Sequence, residues 1–333
     1  MSALGDNQRR ARPTANWRWV PLKLAVSITL LVLILRRFSW PELRVQFERT
    51  DVAALALPFA IIVASSLLGA AQWHWILRGS GVAMRFASTL RVYLAGLFLN
   101  NFMLGSVGGD VYKIYVIGRS SGGVGRVAGA TIVDRMVGLS ALCGLASLAA
   151  LFEIPRDRIP AKQAVVVLAF ALAILGTAAL FLHPRYGLAA ARRIERLPLG
   201  SWGPRLARLL GHLGAYRSRT RLLNSVFLLS LVIQSSRVVA HFGVGLAMGW
   251  PLHAADLYKF FLVIPILGLL ISLPISVGGW GVREWAGMAL FAPLGHGGEE
   301  AVTLLALTAI LTLVASLMGA VALVVGHTRA EVS

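Results

Sequence analysis

Charge is scarce in this chain. Only 14% of its 333 residues are Asp, Glu, Lys or Arg, whereas 57% are hydrophobic and the mean hydropathy is +0.74. A soluble domain carries about 25% charged residues, so an ordinary globular fold is excluded, as are a disordered chain and a collagen-like fibre. Cysteine occurs once, at Cys143. No internal disulfide can form, which excludes a disulfide-stapled secreted module, and Cys143 reads as a small packing residue within an apolar block. Acidic residues number 14 against 32 Lys and Arg, and only four of those cations are lysines.

Recognisable catalytic patterns are missing too. None of the seven histidines pairs with another at helical spacing, and none stands near Cys143, so neither a metal site nor a cofactor is expected. Zinc-protease, Walker, nucleophile-elbow and Asp-x-Asp patterns are all absent. The net charge of +18 would suggest nucleic acid in a soluble protein. Here the cations fall mainly in short connections between apolar blocks, with no basic stripe interleaved with aromatics, so no nucleic-acid partner is expected.

The apolar blocks run at about 20–36, 52–77, 128–151, 163–182, 222–248 and 301–326. Each approaches or exceeds the length needed to cross a hydrocarbon layer about 30 Å thick. The first follows a basic tail and resembles a secretory signal. It runs into Arg36-Arg37 without a small-residue cleavage site and is read as an uncleaved span. Two further segments, 88–118 and 258–292, are interrupted by Gly105-Ser106-Val107-Gly108-Gly109 and Pro274-Ile275-Ser276-Val277-Gly278-Gly279. Irregular backbone at membrane depth must be buried in protein or line a cavity, so these segments predict re-entrant hairpins or discontinuous helices. An offset of 170 residues lays Ser106-Val107-Gly108-Gly109 on Ser276-Val277-Gly278-Gly279 and Lys113 on Arg283. The flanking spans superpose as well, which predicts an internal repeat.

Loop charge sets the expected topology. The N-terminal tail is basic, residues 78–127 carry six cations against Asp110 alone, and residues 183–221 carry nine arginines against Glu195. All three are placed in the cytoplasm. The nearly balanced 37–51 connection, the mixed 152–162 and 249–257 connections, and acidic Glu299-Glu300 suit the outside. These assignments agree when each gapped segment enters and leaves on one side. The expected fold is an all-α integral membrane protein of six full transmembrane helices plus two re-entrant or broken-helix hairpins, arranged as an inverted repeat. Its parts are a basic tail (1–19), a first repeat (20–160), a second repeat (161–326, including the 183–221 loop) and a cytoplasmic tail (327–333). Transporters with this plan bind substrate near mid-membrane beside broken helices.

Charges at membrane depth mark candidate sites: Asp110, Lys113, Asp134, Arg135, Arg237, Arg283 and Glu284. Gln234, Arg237 and His241 form one helical stripe. Arg237 reads either as an anion contact or as half of an internal ion pair with Asp134 or Glu284. Arg135 is near enough to the cytoplasm to snorkel. Gly108, Gly109, Gly278 and Gly279 suggest tight bends with positive φ. A half-helix starting after each bend would aim N–H groups and a positive dipole end at an anion, with Lys113 and Arg283 reinforcing it. Trp73 and Trp75 read as interfacial anchors.

At these residues the chain resembles the lysylphosphatidylglycerol synthase transmembrane-region family. Asn100-Asn101-Phe102 leading to Gly108-Gly109-Asp110-Val111-Tyr112-Lys113 is similar to its Asn…Gly-Gly-Asp…Arg motif. Asp134-Arg135-Met136-Val137-Gly138-Leu139 and Leu273–Glu284 are similar to its later signatures. Two features depart: Met103-Leu104-Gly105 lacks the usual Pro, and Lys113 replaces the usual Arg. The resemblance implies a flippase-like domain in a bacterial inner membrane, translocating or binding an anionic lipid or lipid-linked intermediate. The lipid would be a phospholipid, a hopanoid or a polyprenol-linked species, with lipid-biosynthesis enzymes as possible partners. With no room for the synthases' soluble aminoacyl-transferase domain, lipid aminoacylation is not expected. The alternatives are a membrane-embedded transferase, for which only Asp110, Asp134 and Glu284 supply carboxylates, and a non-transporting partner of a biosynthetic complex. The implied binding set is Asn100, Gly108, Gly109, Asp110, Lys113, Arg135, Arg237, Gly278, Gly279, Arg283 and Glu284.

The topology can be measured directly. In a Cys143→Ala background, Gly200→Cys and Ala215→Cys should be protected from an impermeant thiol reagent in intact cells, whereas Val45→Cys and Ala255→Cys should be labelled. Labelling of the 183–221 loop from outside would overturn the charge-based assignment.

Overall fold

The computed structural model describes residues 40–101, 107–153, 211–214, 218–272, 281–296 and 298–325, with a few single positions besides. All the regular structure among them is helical: α1 (Trp40–Arg49), α2 (Ala56–Gly79), α3 (Phe86–Asn100), α4 (Val107–Ser120), α5 (Val124–Glu153), α6 (Thr220–Ala247), α7 (Leu257–Ser272), α8 (Val282–Phe291) and α9 (Glu299–Val325). Five helical stretches are long and apolar enough to cross a membrane: α2, most of α5, α6, most of α9, and α7 with its preceding 3-10 turn, Ala254–Ser272. The chain is an all-α membrane protein. Four expected spans, 52–77, 128–151, 222–248 and 301–326, correspond to α2, α5, α6 and α9. The expected span 20–36 lies outside the described residues. Of 163–182 only Leu168, Leu172 and Gly176 are described, each helical.

Local sequence explains the helix ends. Asp51 accepts backbone N–H bonds from Ala53 at 2.9 Å and Ala54 at 3.2 Å, forming the turn that leads into α2. Arg78 sits in the last turn of α2, where it complements the dipole, and Gly81 reverses the chain with φ +81°. Glu299 and Glu300 occupy the first turn of α9. Along α9, the Thr303, Thr308 and Thr312 hydroxyls donate to carbonyls four residues back, so these polar groups are satisfied within the helix.

The short helices pair. An added Cβ at Gly109 would lie 2.0 Å from the Gly96 carbonyl oxygen, and one at Gly96 would lie 3.1 Å from the Gly109 carbonyl oxygen. The Gly109 N–H also donates to Asn100 Oδ1 at 2.7 Å. These contacts make α3 and α4 an antiparallel hairpin packed backbone to backbone. Its helices have 15 and 14 residues, about 22 and 21 Å at 1.5 Å per residue, each too short to span alone. Its two ends lie together, since an added Cβ at Gly81, just after α2, would lie 3.8 Å from Arg126 Nη1 at the start of α5. The second pair is also antiparallel, with the Phe260 and Phe291 rings 5.5 Å apart and the start of α7 beside the end of α8, but it is unequal: α7 with its 3-10 turn is long enough to cross a membrane, and α8 has only 10 residues.

The order of long helix, two paired helices and long helix therefore occurs twice, as α2–α5 and α6–α9. The helices α2 and α6 run antiparallel, with Gly243 against Pro58 at one end and Leu222 against Gly79 at the other. The first hairpin is tied to the second half through α9. Asn101 Nδ2 donates to Ser316 Oγ at 3.0 Å, and an added Cβ at Gly319 would lie 2.0 Å from the Leu94 carbonyl oxygen.

Two sequence expectations need correction. Gly108 and Gly109 do not form a positive-φ bend; they belong to the first turn of α4. Gly109 is required by close approach to Gly96 instead. The second glycine cluster does bend, with φ +81° at Gly279 and +90° at Gly281, while Gly278 lies outside the described residues. Trp73 is not an interfacial anchor, being fully buried in the core with Ile76, Leu77, Val127 and Tyr216. Trp75 is 46% exposed.

Gly109→Val and Gly279→Val should each lower folded yield and the thermal midpoint in detergent, by an amount equivalent to at least about 1–3 kcal/mol. The first acts through collision and the second through its φ and the Ile271 side chain, 2.7 Å from an added Cβ. Gly144→Val is the control, since an added Cβ there meets nothing within 4 Å. Equal midpoints for all three would show that the hairpins are not packed this way.

Candidate functional site

A cavity of about 840 Å³ lies among α2, α3, α4, α5, α6, α7, α8 and α9. Among its described lining residues are Asn100, Asp110, Lys113, Arg135, Arg237 and Arg283. Residues from both sequence halves, predicted separately, thus meet in one space. Gly108, Gly109, Gly279 and Glu284 support this space without lining it, and Gly278 is not described.

Asp110 organises one wall. Its Oδ1 lies 2.8 Å from Lys113 Nζ, and its Oδ2 accepts a 2.6 Å hydrogen bond from Arg135 Nε. The Lys113 side chain is 6% exposed, so this pairing takes the place of water around its ammonium. The ammonium also lies over the Trp73 and Tyr93 rings, 4.8 and 5.1 Å from their centroids, where the negative ring faces attract it. Trp73 is therefore part of the lysine's site. Arg135, 40% exposed along its side chain, does more than snorkel: it joins α5 to the first hairpin.

Glu284 organises the other hairpin. Its Oε2 accepts the Gly281 N–H at 2.7 Å, and its Oε1 accepts Arg283 Nε at 3.0 Å and Nη2 at 2.5 Å. Asn100 does the corresponding work in the first hairpin by accepting the Gly109 N–H. Both half-helix N-termini thus have acceptors from the chain itself, where the sequence suggested that they were aimed at a bound anion. Attraction for an anion falls to side chains.

The polar stripe on α6 faces the cavity as its spacing predicts, with Gln234, Arg237 and His241 all lining it. Arg237 Nη1 donates to Gln234 Oε1 at 3.4 Å, and His241 Nδ1 donates to the Arg237 carbonyl at 2.7 Å. Of the two readings of Arg237, the internal ion pair is not formed. Among the described residues no carboxylate approaches it within 4.0 Å; Glu284 engages Arg283, and Asp134 accepts from Gln72 Nε2 at 2.9 Å.

Among the described residues the lining therefore carries four cations (Lys113, Arg135, Arg237, Arg283) and two carboxylates, Asp110 and Asp134. Leu97, Leu139, Leu142, Ile264 and Ile271 supply apolar wall. Gln72, Asn101 and Tyr93 also line the space, outside the motif-based set. Gln72 could have been marked in the sequence as an amide within an apolar span; Tyr93 carried no comparable signal.

A helical membrane bundle enclosing a cation-rich cavity is the class that fold and site define. Residues 20–319 match the family model described as Lysylphosphatidylglycerol synthase TM region, and the chain belongs to that family. Membership places it among membrane proteins of lipid-related function. No curated protein and no solved structure matches the chain.

Removing the Asp110 charge should strand Lys113. Asp110→Asn is expected to cost about 3–5 kcal/mol, the usual penalty for breaking a buried pair, read as a lowered unfolding midpoint in detergent. Adding Lys113→Met should recover much of the loss. Wild-type stability for Asp110→Asn alone would show that the pair is not structural.

Proposed function

We propose that the protein binds the anionic headgroup of a membrane lipid in this cavity and passes it between leaflets. The observation carrying this reading is the excess of cations over carboxylates on walls drawn from both sequence halves. A guanidinium presents a planar fork of donors suited to phosphate oxygens, and apolar wall beside it suits the start of an acyl or prenyl chain. Among the implied lipids, a phospholipid, a hopanoid or a polyprenol-linked intermediate, this chemistry favours those that carry a phosphate.

In this reading the α3–α4 and α7–α8 pairs are re-entrant hairpins from opposite faces, and the halves 20–160 and 161–326 form an inverted repeat. The termini and the 183–221 loop are cytoplasmic, in a bacterial inner membrane. The antiparallel course of α2 and α6 and the twofold recurrence of element order support this arrangement. The 183–221 loop could also dock lipid-biosynthesis enzymes through its arginines.

Transfer of acyl-labelled phosphatidylglycerol in proteoliposomes tests the proposal. Arg237→Ala and Arg283→Ala should each lower the rate about ten- to a hundredfold, as expected for loss of a charge-assisted hydrogen bond worth roughly 1.5–3 kcal/mol. Lys at either position should retain part of the rate because it keeps the charge without the fork. Wild-type transfer by both Ala variants, with normal folding, would reject the site.

A further inference from the structure

The phosphate-seeking cations leave one part of the cavity unexplained. Asp134 lines it from α5, and among the described residues no cation lies within 4.0 Å of its carboxylate. The adjacent cations Lys113 and Arg135 engage Asp110. Gln72, 5% exposed, donates its Nε2 to Asp134 Oδ1, while its own Oε1 is buried with no donor among the described residues. With Nε2 placed on Asp134, the amide directs its own Oε1 away from the carboxylate. In its carboxylate form Asp134, with Gln72 Oε1, makes this corner an acceptor site. Arg237 lies on the neighbouring helix: Gly138, one turn beyond Asp134, has Gln234 Nε2 3.8 Å from where a Cβ would be, and Gln234 holds Arg237.

We propose that Asp134 and Gln72 form a second subsite, which receives a hydrogen-bond donor carried by the lipid headgroup beyond its phosphate. The inference rests on the reading that the cavity binds a lipid headgroup. Arg237 takes the phosphate, and Asp134 with Gln72 takes the distal group, an ammonium or a hydroxyl. A second phosphate is excluded from this corner by repulsion from the carboxylate. A headgroup ending in a plain alkyl ester brings no donor to Gln72 Oε1 and adds none to the single one Asp134 receives from Gln72, which is costly. The site thereby discriminates by what lies beyond the phosphate.

The test uses the full-length protein in nanodiscs and the binding of three chain-matched probes. Phosphatidylmethanol has no donor, phosphatidylglycerol is charge-matched to it and carries hydroxyls, and phosphatidylethanolamine carries an ammonium. The wild type should bind at least one donor-bearing probe about tenfold or more tightly than phosphatidylmethanol, and the preferred probe identifies hydroxyl or ammonium. Asp134→Asn, nearly isosteric, should reduce that preference to within about twofold without weakening phosphatidylmethanol binding. Gln72→Leu should act in the same direction and serves as the second variant if Asp134→Asn folds poorly. Arg237→Ala should weaken all three probes together. Equal wild-type affinity for the three, with all still dependent on Arg237, overturns the subsite and leaves the proposed function standing. Absence of binding by every probe overturns both. A preference that survives in Asp134→Asn while the pH dependence of binding disappears also overturns it, because Asp134 would then carry a proton instead.

Discussion

The pairing of Asp110 with Lys113 and Arg135 is the interaction on which this architecture depends. Asp110 and Lys113 stand one turn apart on α4, Arg135 reaches them from α5, and Lys113 extends over Trp73 of α2 and Tyr93 of α3. One carboxylate thereby ties four helices together. Burying any of these charges alone would cost several kcal/mol, so the arrangement stands or falls as a group. The close approach of Gly109 to Gly96 brings α4 near enough to α3 for Lys113 to lie between the aromatic rings and the acid. Backbone contact and charge pairing support each other.

The two hairpins meet the same requirement with different residues. A helix that starts inside the protein exposes N–H groups lacking intrahelical partners, and those groups must be paired where water is scarce. Asn100 answers across the turn of the first hairpin, and Glu284 answers from within the second helix. Glu284 also fixes the Arg283 guanidinium, so capping the helix and orienting a cavity cation are one event. The first hairpin divides these tasks between Asn100 and Asp110.

Much of this was legible in the sequence. Apolar length marked α2, α5, α6 and α9, glycine clusters marked both breaks, and charges in apolar surroundings marked six residues that share the cavity. The illegible part was pairwise. Nothing local distinguishes a glycine needed for φ from one needed for closeness, so Gly109 looked like a bend. Trp73 looked like a membrane anchor because its position along α2 was readable and its facing was not: a helix apolar on all sides gives periodicity nothing to report. For the same reason Arg237 carried two readings until the partners of Asp134 and Glu284 were placed. Spacing locates a charge, whereas its neutralisation depends on helices far away in the chain.

The contact of Gly319 with the Leu94 carbonyl has a further consequence. It sets a helix of the second half directly on the backbone of the first hairpin, with Asn101 and Ser316 bonded beside it. Two backbones in such contact leave no room for a side chain between them, so a shift along either axis drives one into the opposing carbonyl. The junction is therefore a key: it fixes the register of α9 against α3, while Pro58 on Gly243 and Leu222 on Gly79 hold the same two halves at two further points.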